Sequence, residues 1–184
     1  MEAAEESKQA APEFVDWSRA SLRQLVSHII DKHHVFTWNE LERLGGLISK
    51  VCAAHGRNHP ELLSIQQLFN ELNDELLPHM KKEERVLFPY ICELEAAVTE
   101  ERLLPMPFFG SVSNPIRVML AEHERAGNAI EKIQSLSANF SVPADGCESY
   151  RALYEALEFL KADLHLHIHL ENNVQFPAAI KMES

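Results

Sequence analysis

The sequence predicts an all-α protein, an antiparallel four-helix bundle, and three observations carry that expectation. Only six glycines occur, and the breakers cluster in AHGRNHP at 54–60, LLPMPFFGSVSNP at 103–115 and NFSVPADG at 139–146, leaving four long segments. Within those segments apolar residues recur at steps of three and four, the stripe of an amphipathic helix. Long strand-like alternation is otherwise absent, and four such helices with short or moderate connections make a bundle.

The first segment runs from about Ser21, a candidate N-cap, to Ala54, and closes near Gly56. It carries adjacent histidines, His33 and His34, whose ring directions differ by about 100° on a helix. Leu22, Val26, Ile29 and Val51 favour a face centred near His33, whereas Ile30, Trp38 and Leu41 favour His34, so periodicity leaves both open. The second segment begins with Pro60 in a first turn and reaches the nineties, with bends expected at Pro78 and Pro89. Its stripe reads Ile65, Phe69, Leu72, Leu76, His79, Glu83, Val86, Tyr90, which puts a histidine and a glutamate on an apolar face.

The third segment, opened by Asn114 and Pro115, places Ile116, Leu120, His123, Gly127, Ile130 and Ile133 together, with Glu122, Glu124, Arg125 and Lys132 largely elsewhere. The fourth alternates most regularly, through Leu153, Leu157, Leu160, Leu164, His167, Glu171 and Val174. Residues 21–182 are expected to form one domain and residues 1–20 a partly disordered extension. Met106, Phe108 and Phe109 are expected to pack the long connection onto the bundle.

Composition narrows the function. A chain of 184 residues, 46% hydrophobic, suits one domain with a substantial core. A formal charge of -11 repels phosphate backbones and anionic lipid, which argues against nucleic acid and membrane partners. The start, MEAAEESKQAAPE, has neither a basic region nor an apolar run, and no stretch approaches the roughly 20 apolar residues of a membrane span. Cys52, Cys92 and Cys147 stand alone without a CxxC pair, which fits a reducing cytoplasm.

The run HLHIHLENN at 165–173 alternates histidines as a strand would. On a helix, however, His165 and His169 lie about 200° to either side of His167, so the three rings cannot converge on one ion. A different pattern carries chemistry: HMKKEERVLFP at 79–89 and HIHLENNVQFP at 167–177 both read H-x-x-x-E-x-x-V-x-F-P. Each lies on an even-numbered helix that follows a helix with a core-facing histidine, which suggests two hairpins related by approximate twofold symmetry. His and Glu at i and i+4 present an imidazole and a carboxylate on one face. Two histidines from each hairpin plus two bridging glutamates form a nitrogen and oxygen donor set for iron, manganese or zinc, with iron favoured in a helical bundle. Unpaired buried carboxylates would cost several kcal/mol each, which argues against six such residues being ordinary core.

These residues resemble hemerythrin-like domains, specifically those of the iron-sulfur cluster repair di-iron proteins, also called repair of iron centres. The resemblance runs from DWSRASLRQLVSHIIDKHH through ELLPHMKKEERVLFP and AEHERAG to HIHLENNVQFP. It implies two iron ions in a non-haem, oxo- or hydroxo-bridged centre. Its ligands would be His34, the second histidine of the first-helix pair, with His79, His123 and His167, and Glu83 and Glu171 would bridge. Oxygen-carrying hemerythrins have a further histidine where Gly127 stands and an aspartate where Asn172 stands, so an oxygen carrier fits less well. Repair proteins of this type carry a short N-terminal domain with a cysteine pair, and with about twenty residues ahead of the first helix that domain is expected to be missing.

Ligating imidazoles usually donate their other N–H to a carboxylate or carbonyl, and Glu75, Glu122 and Asp163 are the candidates. His28, His33, His55, His59, His165 and His169 are expected at the surface or flanking the site. A small zinc site from Cys52, His55 and His59 has too few ligands. The expected function is support of iron-sulfur clusters damaged by nitrosative or oxidative stress through iron delivery to damaged or apo iron-sulfur proteins. Oxygen, nitric oxide or redox sensing or storage, a di-iron nitric oxide or peroxide reductase, and a zinc hydrolase are the alternatives, and enzymatic turnover is left open.

Overall fold

The computed structural model describes residues 16–184, without the side chain of Ser18; most of the predicted N-terminal extension lies outside the described residues. After a 3-10 turn at Trp17–Arg19, the chain forms four rods. The first comprises α1 (Leu22–His28), a π turn (Ile29–His34) and α2 (Val35–His55). The second comprises α3 (Glu61–Lys82), a π turn (Glu83–Leu87) and α4 (Phe88–Thr99). The third is α5 (Ser113–Leu136), and the fourth comprises α6 (Glu148–Leu170), a π turn (Glu171–Gln175) and α7 (Phe176–Glu183). Among the described residues there is no strand, and no helix is long and apolar enough to cross a membrane.

Ser21 caps the first rod as expected, with Gln24 completing a capping box. The Glu95 carboxylate also accepts from the backbone N–H of Leu22 (2.6 Å) and Arg23 (3.0 Å), using the free donors and positive end of α1 to tie the first rod to the second. Consecutive rods pack side by side, and the fourth closes on the first through α2 and α6.

The apolar core has two parts. One, toward the first loop, joins α2, α3, α5 and α6 through residues such as Leu44, Ile48, Phe69, Leu153 and Leu157. The other joins α1, α4, α7 and the start of α5 through Leu25, Phe88, Ile91, Ile116 and Phe176. His79 and Glu83 lie between Leu76 of the first and Leu87 of the second, as His167 and Glu171 lie between Leu164 and Phe176. A polar layer is thus clamped between two dry ones.

The π turns set the register of that layer. Phe88 N–H bonds the carbonyl of Glu83, and Phe176 N–H that of Glu171, five residues back rather than four. Pro89 and Pro177 follow at once; without an N–H they cannot bond the carbonyl four residues earlier, and their rings crowd it. The widened turn accommodates that defect. α3 itself continues unbroken through Pro78.

The extra residue per π turn rotates the buried face. Past Glu83 the core residues are Leu87, Phe88 and Ile91, and the expected Val86 and Tyr90 are half-buried. Past Glu171 they are Gln175, Phe176 and Ala179, and Val174 is half-buried. In α5 the face steps through Met119 and Ala126 rather than Leu120 and Gly127, leaving Leu120 exposed. In the connection Phe109 packs edge-on against Tyr90 (5.0 Å), but Met106 and Phe108 are exposed rather than packed.

Phe69 is fully buried in the first core and Phe159 is exposed on α6. Denaturant titration should show Phe69→Ala losing about 3–5 kcal/mol of stability, and Phe159→Ala changing it by no more than about 0.5 kcal/mol.

Candidate metal centre

Six buried side chains meet in the polar layer: His34 from the first π turn, His79 and Glu83 from the second rod, His123 from α5, and His167 and Glu171 from the fourth rod. Their donor atoms form two overlapping groups, His34, Glu83, His167, Glu171 and His79, Glu83, His123, Glu171, each within a 4.8 Å span. Both carboxylates belong to both groups.

The distances show how the carboxylates are shared. His34 Nε2 lies 3.2 Å from His167 Nε2, and His79 Nε2 3.0 Å from His123 Nε2. Glu83 Oε2 is 3.5 Å from His34 Nε2 and 3.3 Å from His79 Nε2. Glu171 divides its oxygens, Oε1 being 3.1 Å from His167 Nε2 and Oε2 3.1 Å from His123 Nε2. All four histidines therefore aim Nε2 inward, one nitrogen pair on either side of two central carboxylates.

Charge is concentrated here. Burial opposes the charged form of His79, yet the field and hydrogen bond of Glu83 and the contact with Glu122 outweigh it and raise its pKa to about 9. His34 is likewise raised, burial being overcome by Glu83. Burial and the facing Glu171 push Glu83 upward, but His79 and His34 hold it below the usual carboxylate range. Glu171, opposed by burial, is held low by His167 and His123.

The donor set fits a pair of cations. Both oxygens of Glu83 and Oε2 of Glu171 are buried, and their close polar contacts are with ring nitrogens of the inward histidines, an arrangement costly for carboxylates unless positive charge compensates. Four imidazole nitrogens and two carboxylates suit first-row metals such as iron.

Three of the four inward histidines have their other ring nitrogen held. His34 Nδ1 meets Glu84 (2.8 Å), His79 Nδ1 meets Glu122 (2.7 Å), and His123 Nδ1 meets the Asn172 side-chain oxygen (2.8 Å). Of the expected partners, Glu122 takes that place. Glu75 does not: it is largely exposed and pairs with Arg125 (3.3 Å). Asp163 accepts from His33 (2.9 Å) rather than from His167. Glu84 and Asn172 were missed, although a signal was present, since each directly follows a motif glutamate and so turns toward the preceding rod.

The remaining histidines stand apart from both groups. His165 and His169 are exposed, whereas His33 flanks the site but is buried, stacked on His167 at 5.5 Å. Cys52 does not join His55 and His59; its thiol faces the Leu62 carbonyl (3.4 Å). His55 Nε2 instead lies 3.2 Å from Cys147 Sγ, and that hydrogen bond, with backbone N–H groups at the start of α6, lowers the Cys147 pKa to about 7. Burial raises Cys52 and Cys92.

Replacing His167 or Glu171 with alanine should reduce bound metal strongly, with His165→Ala and His169→Ala leaving it unchanged; elemental analysis of purified variants decides this. Mass-mapped alkylation should label Cys147 ahead of Cys52 and Cys92, with a rate that rises through pH 7 as the thiolate forms and is half-maximal there, and His55→Ala should move that midpoint upward.

Residues 25–179 match the hemerythrin HHE cation binding domain. The chain is similar to a probable iron-sulfur cluster repair protein of Haemophilus influenzae, 36% identical over 165 residues that cover 90% of this chain and 68% of that protein. It is also similar to the iron-sulfur cluster repair protein YtfE of Yersinia pseudotuberculosis, at 33% over 91% of this chain and 70% of that one. The YtfE of Yersinia pestis is 32% identical over the same shares. A hemerythrin-type domain takes a non-haem di-iron pair as its cofactor, and the six inward side chains would hold it. The chain belongs to the hemerythrin HHE cation-binding family.

Proposed function

We propose that this protein is a di-iron protein that supports repair of iron-sulfur clusters damaged by nitrosative or oxidative stress, by delivering iron to damaged or apo iron-sulfur proteins in the cytoplasm. The observation that carries the proposal is the sharing of Glu83 and Glu171 between two histidine pairs. Six side chains would be a sparse set for two ions, and because Glu83 and Glu171 each face both histidine pairs, one ion could leave while the other kept its nitrogens and the bundle stayed intact. His34, His79, His123 and His167 would supply the nitrogens. Similarity to named repair proteins across most of the chain supports the same reading.

Two positions speak against oxygen carriage. Gly127, one turn past His123, has no side chain to add a donor, and Asn172 uses its oxygen on His123 Nδ1. Gas binding remains the second reading on one observation. An apolar groove of about 260 Å³, lined by Lys82, Val86, Leu87, Pro115, Val118 and Met119, borders the second and third rods next to Glu83 and one turn before His123, a surface suited to apolar diatomics such as oxygen or nitric oxide.

Mixing protein carrying labelled iron with an apo iron-sulfur protein, sulfide and a thiol should move label into a reconstituted cluster faster than free iron chelated at the same concentration does. Tight, reversible oxygen binding with the label retained would favour the gas-binding reading.

A further inference from the structure

The two hairpins repeat each other except at one place. The residue after each motif glutamate, Glu84 or Asn172, holds the histidine of the preceding rod. The residue before His123, Glu122, holds His79. The residue before His34 is His33, and His167 Nδ1, which it should hold, is buried without a hydrogen-bond partner among the described residues. Outer partners orient a ligating imidazole and raise its basicity, and losing one typically costs about 10- to 100-fold in metal affinity. The position between His34 and His167 is therefore the weaker of the two.

His33 itself is built like a ligand. Its Nδ1 donates to Asp163 (2.9 Å), the carboxylate–imidazole arrangement also seen at His34 with Glu84 and at His79 with Glu122. With Nδ1 committed to Asp163, Nε2 is the nitrogen left to meet a ligand, and it is buried with no hydrogen-bond partner among the described residues. His33 stacks on His167 on one side and meets His28 edge-on at 5.4 Å on the other. His28 borders an open groove of about 400 Å³ lined also by Lys32 and by Asp31, whose carboxylate accepts from Ser27 (3.0 Å) and keeps an oxygen for a passing cation.

We propose that iron leaves the centre from one side: the ion between His34 and His167 is the labile one, and His33 Nε2 takes it over on the way out to the groove at His28. The role of that ion as cargo rests on the iron-delivery function proposed above; the inequality of the two positions does not.

Stopped-flow release of iron from the two-iron protein to a strong colorimetric ferrous chelator, under reducing conditions and without any acceptor protein, tests this. The native chain should release its two irons in two phases, at least about tenfold apart. Asp163→Asn and His33→Ala should each slow the fast phase several-fold, leaving iron content and the slow phase unchanged. Glu122→Ala, on the opposite side, should accelerate the slow phase alone. A single phase in the native protein, a fast phase indifferent to both Asp163→Asn and His33→Ala, or a Glu122→Ala effect confined to the fast phase would overturn the proposal. Should His33→Ala fail to load two irons, Asp163→Asn and Glu122→Ala decide it. The expected phases without label transfer to an apo acceptor would sink iron delivery and leave the one-sided exit standing.

Discussion

Everything in this structure is arranged around two carboxylates that have been taken out of water. Glu83 and Glu171 are fully buried and face each other across the bundle axis, which in a dry interior costs several kcal/mol for each ion. Four inward imidazoles offset part of that cost, and a bound pair of cations would offset the rest. The two apolar clusters above and below hold the rods apart by a fixed amount, so the layer keeps its geometry. A packed interior does not deform continuously, and this rigidity presets the spacing of the nitrogen pairs.

The means of delivering those carboxylates is a local defect in the helix. A Phe-Pro step one turn past each glutamate removes a backbone donor, and the helix answers with a π turn that begins at the glutamate itself. The turn pays for this by seating the aromatic ring of Phe88 or Phe176 in the core directly beyond the site. Phe88 stacks near His34 (5.6 Å) and Phe176 lies parallel to His123 (5.9 Å), so the same motif that aims the carboxylate also packs the imidazole of the neighbouring rod. One duplicated sequence element thereby builds both halves of the centre.

How far this was legible from sequence depends on what each inference required. Helical periodicity is a local property, and it correctly separated His167 from His165 and His169. It failed where the period changes: the π turns moved burial from Val86 to Leu87 and from Val174 to Gln175, and no straight-helix template contains that extra residue. The π turn of the first rod buried both His33 and His34, and only His34 brings a ring nitrogen into the two donor groups, a choice that periodicity had left open. Partners of the inward histidines were harder still, because they come from neighbouring rods. Glu75 and Asp163 stand one turn before His79 and His167 on the same helices, whereas Glu84, Glu122 and Asn172 reach across from a neighbouring rod. Asn172 shows its position in its own run, directly after Glu171, but its partner, His123, comes from α5.

The most direct measurement of the central claim is anomalous diffraction at the iron absorption edge from crystals of the native, metal-loaded protein. The account predicts two peaks flanking the Glu83 and Glu171 carboxylates, one coordinated by His34 and His167 and the other by His79 and His123. A single peak, or iron coordinated by His33, His165 or His169 in the resting protein, would contradict it.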